Sequence, residues 1–132
     1  MRRREDEAER DAAVALVTEW VYLPDVAERI GQSDRRVRSM VREQRVLAFR
    51  VGPNNALAVP EEMIALDPRS GRQEVLPALR GSLIQLSDAG YADWESLRWL
   101  YSHNEELDAR PIDALRSGRT SSVRRAAQAL AF

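Results

Sequence analysis

The chain has 132 residues, of which 44% are hydrophobic, so it has enough apolar side chains for one packed domain or two small ones. It contains no cysteine, which excludes disulfides and thiolate metal sites, and no apolar run long enough to span a membrane. No apolar segment follows the basic residues at the start, so we expect a cytoplasmic protein without a secretory signal.

The net charge of −1 hides a strong asymmetry along the chain. Residues 29–50 hold seven arginines and two acidic residues, a net charge of +5, whereas residues 1–28 carry −4 and residues 51–132 carry −2. All 20 basic residues are arginine, whose planar guanidinium can bind phosphate or guanine through two parallel hydrogen bonds. This concentration of charge indicates a basic surface within residues 29–50.

The first predicted elements are a tail and a pair of helices. Residues 1–18 are highly charged, and we expect a largely flexible N-terminal tail. Beyond it, Val26 and Ile30 recur at helical spacing, and Gly31 can supply a tight turn. Ser33 is a suitable N-cap for the helix that follows. The pattern predicts two short helices joined by a turn.

The second of these helices has two different sides. Val37, Met40 and Val41 form an apolar stripe, and the opposite side is rich in arginine. An apolar inner side and a guanidinium-bearing outer side are typical of a helix-turn-helix recognition helix, which enters the major groove of DNA. The alternative is an ordinary solvated helix surface. The residues predicted on the outer side are Arg35, Arg38, Ser39 and Arg42.

A β-hairpin is predicted directly after this helix. Residues 47–51 and 56–59 have the composition of strands, and the intervening Gly-Pro-Asn-Asn has strong turn chemistry. A hairpin in this position is the wing of a winged helix, which contacts the DNA backbone or the minor groove; the alternative is an ordinary surface hairpin. We therefore predict a winged helix-turn-helix domain over residues 19–66. Its further DNA-binding residues are predicted to be Ser33, Arg36, Arg45, Arg50, Asn54 and Asn55.

The second half of the chain is predicted to be helical. In residues 77–132, apolar residues recur at helical spacing between glycine and proline punctuation, which predicts a C-terminal helical bundle with Phe132 docked on its core. Trp94, Trp99 and Tyr101 could stack on bases, but their helical spacing favours core or interface positions. The predicted fold class is mainly α with a small β-hairpin wing: a winged helix-turn-helix followed by a C-terminal helical bundle.

The chain carries no signature of catalysis. Its one histidine, His103, lies in a polar loop with no neighbouring motif that supplies a nucleophile or a metal ligand. No phosphate-binding glycine loop, nucleophile elbow or zinc-ligand spacing is present in the sequence. We therefore predict that the protein is not an enzyme and uses no cofactor and no metal.

The sequence resembles two known groups of proteins. Residues 23–60 are similar to the helix-turn-helix and wing of the MerR and excisionase superfamily. Together with LSDAGYADWESLRWLYS and ARPIDALRSGRTSSVRRAAQALAF, they resemble a family of small actinobacterial winged-helix DNA-binding proteins, whose mycobacterial members are linked to serine/threonine kinase signalling. This resemblance implies double-stranded DNA as the partner, transcriptional regulation as the function and association with the nucleoid. The matching residues of the last stretch are Arg110, Pro111, Asp113, Ala114 and Leu115.

Other readings of the chain remain open at this point. The resemblance also implies a serine/threonine kinase partner and a phosphorylatable threonine in the tail, but residues 1–17 contain neither Ser nor Thr. The RPIDAL segment further resembles the toxin-binding domain of Xre-type antitoxins. An alternative function is therefore a protein-interaction module that binds a toxin or another partner through the C-terminal half. The leading hypothesis is sequence-specific or nucleoid-type DNA binding, with a homodimer formed through the C-terminal helices.

Overall fold

The computed structural model describes residues 2–131, so Phe132 and its predicted docking lie outside the described residues. These residues form two compact units. The winged-helix unit is the segment Glu19–Arg80, and the C-terminal helical unit comprises the described residues before Glu19 and after Arg80. The predicted fold class is confirmed: a winged helix-turn-helix is followed by helices, and the two small sheets are antiparallel.

The winged-helix unit is built on a three-stranded sheet and two helices. Strand β1 (Trp20–Tyr22) leads directly into helix α2 (Leu23–Ile30), and helix α3 (Asp34–Arg42) follows after a turn. Strands β2 (Phe49–Val51) and β3 (Ala56–Pro60) form the predicted hairpin. The sheet order is β1-β3-β2 with antiparallel pairing. The apolar side chains that the helices and sheet bury against one another include Val21, Val26, Val37, Phe49 and Val59.

A second hairpin completes this unit. A single 3₁₀ turn, Glu61–Met63, leads into strand β4 (Ile64–Asp67), which pairs with strand β5 (Arg72–Val75). Helix α2 packs against β5, and the compact unit extends to Arg80. The predicted boundary at residue 66 therefore falls inside a hairpin. Alternating composition is weak in these four-residue strands, so the sequence alone does not define the end of this unit.

The C-terminal helical unit contains most of the remaining helices. Helix α4 (Leu79–Asp88) begins at the end of the winged-helix unit, and α5 (Asp93–Leu100), α6 (Pro111–Arg116) and α7 (Thr120–Gln128) follow. Among residues 2–131, no helix is both long and apolar enough to cross a membrane. Most apolar side chains on the stripes predicted from helical spacing are buried, whereas Leu130 is 37% exposed. The buried ones include Leu83, Leu86, Leu97, Ile112, Leu115 and Val123.

The N-terminal segment differs from its prediction. Residues expected to form a largely flexible tail form helix α1 (Arg2–Ala15), which packs along α5. Ala13 and Val17 are buried, and the Glu9 carboxylate lies 4.0 Å from the Arg98 guanidinium. Only a few small apolar side chains anchor this helix and most of its other positions are charged, so its composition by itself favours a flexible segment. Such a helix owes its stability to packing rather than to its own composition.

The RPIDAL segment has a structural role within its unit. The Arg110 guanidinium donates two hydrogen bonds of 2.8 Å to the Asp113 carboxylate and lies 5.3 Å from the centre of the Tyr101 ring. The hydrogen bonds from Arg110 lower the pKa of Asp113. Pro111 is buried in the first turn of α6. Tyr101 is buried, as expected from its spacing, and Trp94 and Trp99 are half-buried.

Candidate nucleic-acid interface

The helix-turn-helix is shaped by local backbone chemistry. Gly31 ends α2 in the left-handed conformation, with φ of 67°, and its N–H donates to the carbonyl of Glu28 at 3.3 Å. Glycine reaches this conformation without the steric cost of a β-carbon. Ser33 then caps α3, because its hydroxyl accepts a 3.1 Å hydrogen bond from the N–H of Arg36. The predicted turn and cap are both confirmed, and the Ser33 side chain is exposed at the start of α3.

Helix α3 presents guanidiniums on the side opposite its core contact. Val37 is 1% exposed, whereas Arg35, Arg38 and Arg42 are all exposed. Within the described residues, these three guanidiniums have no hydrogen bond or ion pair to protein groups. They are therefore available to bind an external anion. We call Arg35, Arg38 and Arg42 the recognition face.

The side of α3 next to the recognition face is organised by Glu43, a residue that the sequence analysis did not select. Its carboxylate accepts hydrogen bonds from the Ser39 hydroxyl at 2.7 Å, from Arg45 Nε at 3.0 Å and from Arg36 Nη1 at 3.0 Å. The hydrogen bonds from Ser39 and Arg45, with the positive charge of Arg36 and Arg45, lower the pKa of Glu43 to about 2. We call these four residues the Glu43 cluster.

The Glu43 cluster changes the interpretation of three predicted residues. Arg36, Ser39 and Arg45 are half-buried and bound to one carboxylate, so they are positioned rather than free. Part of this cluster could have been predicted from the sequence, because Ser39 and Glu43 are four residues apart and therefore lie on the same side of a helix. The partnership with Arg45 had no such signal, because Arg45 lies beyond the helix end.

The wing is a tight hairpin whose tip is polar. Gly52 has φ of 77° and Asn55 has φ of 50°, both in the left-handed region that turn residues supply. Arg50 is exposed, and its Nη1 donates to the carbonyl of Asn55 at 3.2 Å across the turn. Asn54 is also exposed. The hydrogen bond constrains the conformation of the tip, and the side chains of Arg50, Asn54 and Asn55 remain exposed.

The recognition helix and the wing share one concavity. Arg38 of α3, Arg50 of β2 and Asn54 of the turn line the same cleft of about 360 Å³. Tyr22, the last residue of β1, lines it too, and its hydroxyl lies against Gly52. The fold thus brings together side chains that are 12 and 16 positions apart in the sequence. The cleft wall combines guanidinium, amide and phenol groups, all of which donate hydrogen bonds to phosphate oxygens in nucleic-acid complexes.

Residues 2–131 contain no group of three or more His, Asp or Glu side chains arranged to hold a metal ion. The His103 side chain is 58% exposed, and its Nε2 lies 3.7 Å from the Asp108 carboxylate. The histidine is solvent-facing, as predicted.

Comparison with known proteins places the chain in a family. The model of the winged helix-turn-helix domain of the DNA-binding protein Rv2175c matches residues 8–64, and the model of the Rv2175c C-terminal domain of unknown function matches residues 76–131. The chain belongs to the Rv2175c family. A relative described as DNA-binding protein Rv2175c, from Mycobacterium tuberculosis (strain ATCC 25618 / H37Rv), is 33% identical over 122 residues, which cover 83% of this chain and 79% of the relative.

A solved structure supports the same assignment. The NMR structure of Rv2175c aligns with a TM-score of 0.71 and 32% identity, covering 86% of this chain and 82% of that one. The resemblance to a family of small actinobacterial winged-helix proteins is confirmed. Residues 65–75, which hold most of the β4–β5 hairpin, lie between the two segments that the Rv2175c family models match.

Proposed function

We propose that this chain binds double-stranded DNA through the winged-helix unit and acts as a transcriptional regulator or nucleoid protein without catalytic activity. The observation that carries this proposal is the recognition face: three exposed arginines lie opposite the buried Val37 on the capped, nine-residue helix α3, and a helix of this kind enters the major groove. The relative's description as a DNA-binding protein supports the same partner.

The recognition face is proposed to read bases, and the wing to contact the backbone. Arginine forms paired hydrogen bonds with O6 and N7 of guanine, so Arg35, Arg38 and Arg42 are suited to base edges. Arg50 and Asn54 share a cleft with Arg38 and are suited to phosphate oxygens, which position a protein without reading sequence. With about four to six phosphate contacts, the slope of log K against log salt concentration should be about −4 to −5.

A gel-shift titration of the full chain on a labelled duplex tests this proposal. The variant Arg35→Ala/Arg38→Ala/Arg42→Ala should bind at least about 100-fold more weakly, since each guanine contact contributes about 1–3 kcal/mol. The matched control, Arg29→Ala/Arg69→Ala/Arg72→Ala, removes three exposed arginines from the same unit but none from α3. Equal binding by the two triple variants would refute the assignment of the recognition face.

We also propose that the C-terminal helical unit mediates homodimerisation. One winged helix reads few base pairs, and a dimer doubles the number of bases read. Sedimentation equilibrium of the full chain would test this, and a monomer at all concentrations would refute it.

An antitoxin-type interaction through RPIDAL is not favoured, because Arg110 and Asp113 bind each other and Pro111, Ala114 and Leu115 are buried. Kinase control is not part of the proposal, since residues 1–17 hold no Ser or Thr.

A further inference from the structure

A fourth arginine adjoins the recognition helix, although it lies far along the chain. Arg80, in the first turn of α4, donates a 3.1 Å hydrogen bond from Nε to the backbone carbonyl of Glu43. Glu43 is the C-cap residue of α3. Within residues 2–131, the Nη groups of Arg80 have no hydrogen bond or ion pair to protein groups. The side chain is exposed, so one edge of its guanidinium is anchored and the other is available.

Arg80 lies beside another arginine with the same arrangement. Arg45 and Arg80 line one concavity of about 300 Å³, together with the amides of Gln32 and Gln73 and the carboxylate of Glu74. Arg45 uses Nε to bind Glu43, as Arg80 uses Nε to bind the Glu43 carbonyl. Two guanidiniums are therefore oriented by contacts to one residue at the end of α3. With Glu74 counted, the net formal charge of this concavity is +1.

The position of this concavity complements that of the wing. Met40 and Arg45 face it from α3 and the residues just after, whereas Arg38 faces the cleft shared with the wing. At about 100° per residue, Arg38 lies on one flank of the recognition face, and Glu43, which binds both Arg45 and Arg80, lies on the other. A helix in a major groove has a phosphate strand on each flank, and one of these strands is proposed above to meet the wing. The second strand would meet the flank that carries Arg45 and Arg80.

We infer that Arg80, together with Arg45, forms a second backbone-phosphate site on the flank of α3 opposite the wing, and that Glu43 positions both guanidiniums. This inference rests on the proposed function. It assigns a DNA contact to the segment after the second hairpin, which neither the helix-turn-helix pattern nor the wing includes. The ligand is a phosphodiester of duplex DNA, and the contact is independent of sequence because it involves no base edge.

Fluorescence anisotropy of the full chain with two unrelated labelled duplexes, over a salt series, tests the inference. Arg80→Gln keeps a hydrogen-bond donor but loses the charge. It should lower the magnitude of the salt slope by about 0.9 and weaken binding to both duplexes by the same factor. Arg69→Gln removes an exposed charge from the turn of the second hairpin and should leave the slope unchanged. Arg80→Lys should restore most of the slope.

The outcomes separate this inference from the proposal on which it rests. An unchanged slope for Arg80→Gln would overturn the inference, and so would an equal loss for Arg69→Gln, provided that Arg38→Ala still weakens binding. If Arg38→Ala also has no effect, the proposed function fails instead. Should Arg80→Gln unfold, the Nε–H resonance of Arg80 in the unaltered chain provides the test. It should shift on addition of duplex DNA, and a resonance that stays in place would contradict the inference.

Discussion

The hydroxyl of Tyr22 lies in the space that a β-carbon on residue 52 would occupy. Tyr22 ends β1 and precedes the first helix of the helix-turn-helix, whereas Gly52 begins the turn of the wing. A glycine is therefore required at residue 52 for two reasons, the positive φ of 77° and the close approach of the phenol. This contact ties the position of the wing to the start of the helix-turn-helix.

Because of the Tyr22–Gly52 contact, we expect an alanine substitution at Gly52 to lower the free energy of unfolding more than one at Gly71. Gly71→Ala, at φ of 70° with open space around it, should cost only about 1–2 kcal/mol of backbone strain. Gly52→Ala should cost about 1–3 kcal/mol more, because the added methyl group must displace Tyr22. Tyr22→Phe should recover part of that difference in the double variant. Thermal or urea unfolding measures the stability of all three variants. Equal losses of stability for the two alanine variants would show that the contact with the Tyr22 hydroxyl has no effect.

Arg38 and Arg50 line the same cleft but should affect DNA binding differently. Arg38→Ala should cost about 1–3 kcal/mol on a selected duplex and should relax the base preference at one position. Arg50→Ala should weaken binding to all duplexes by a similar factor and lower the magnitude of the salt slope by about 0.9. Binding selections and salt titrations with each variant distinguish these effects. A shared, purely electrostatic phenotype would contradict the division into base reading and backbone contact.

Glu43 should make the stability of the winged-helix unit depend on acid pH. Its pKa is about 2 in the folded chain against an ordinary value of 4.5, so its stabilising contribution is fully present above about pH 4.5 and is lost as the pH falls toward 2. Glu43→Gln should therefore be less stable than the unaltered chain at neutral pH, and the difference should disappear near pH 2.

A charge-matched variant controls for the general effect of removing an acid from this unit. Glu28→Gln removes an exposed carboxylate from α2, for which the structure shows no ion pair within the described residues. Chemical unfolding between neutral and acid pH compares the two variants. If Glu43→Gln lost no more stability than Glu28→Gln at any pH, the carboxylate would not be holding its three partners together.

The Arg110–Asp113 pair should contribute to the stability of the C-terminal helical unit. Arg110→Ala removes both hydrogen bonds to Asp113 and the stacking on Tyr101, and should cost about 1–2 kcal/mol. Asp113→Asn leaves the stacking in place and should cost less. Arg110→Lys should resemble the alanine variant, because an ammonium cannot form the same bidentate pair. Thermal unfolding measures the loss of stability in each variant. A larger loss for Asp113→Asn than for Arg110→Ala would contradict this prediction.

The predictable part of this structure was encoded by short-range chemistry. Gly31, Ser33 and the alternation of Val37 with its arginine neighbours specify a turn, a cap and a two-sided helix within a dozen positions. The wing was equally predictable, because strong turn residues separate its strands. Seven of the ten predicted contact residues are exposed and lie on α3, at its cap or in the wing hairpin: Ser33, Arg35, Arg38, Arg42, Arg50, Asn54 and Asn55.

The unpredicted features depend on contacts between distant segments. Strand β1 has only three residues, too few for a periodic signal, and it is defined by pairing with β3. The approach of Arg80 to Glu43 joins residues that are 37 positions apart, and no local pattern could indicate it. In the sequence, no pattern distinguishes Glu43 from an ordinary acidic residue that follows a basic helix. Its role emerges only when Arg36, Ser39 and Arg45 converge on its carboxylate.

DNA binding by the recognition face is tested most directly by following the arginine Nε–H resonances of the full chain by NMR during titration with a duplex selected from random DNA. We expect the resonances of Arg35, Arg38 and Arg42 to shift most strongly, and that of Arg50 to shift as well. Shifts confined to arginines of the C-terminal helical unit, such as Arg116 and Arg125, with the recognition face unchanged, would contradict it.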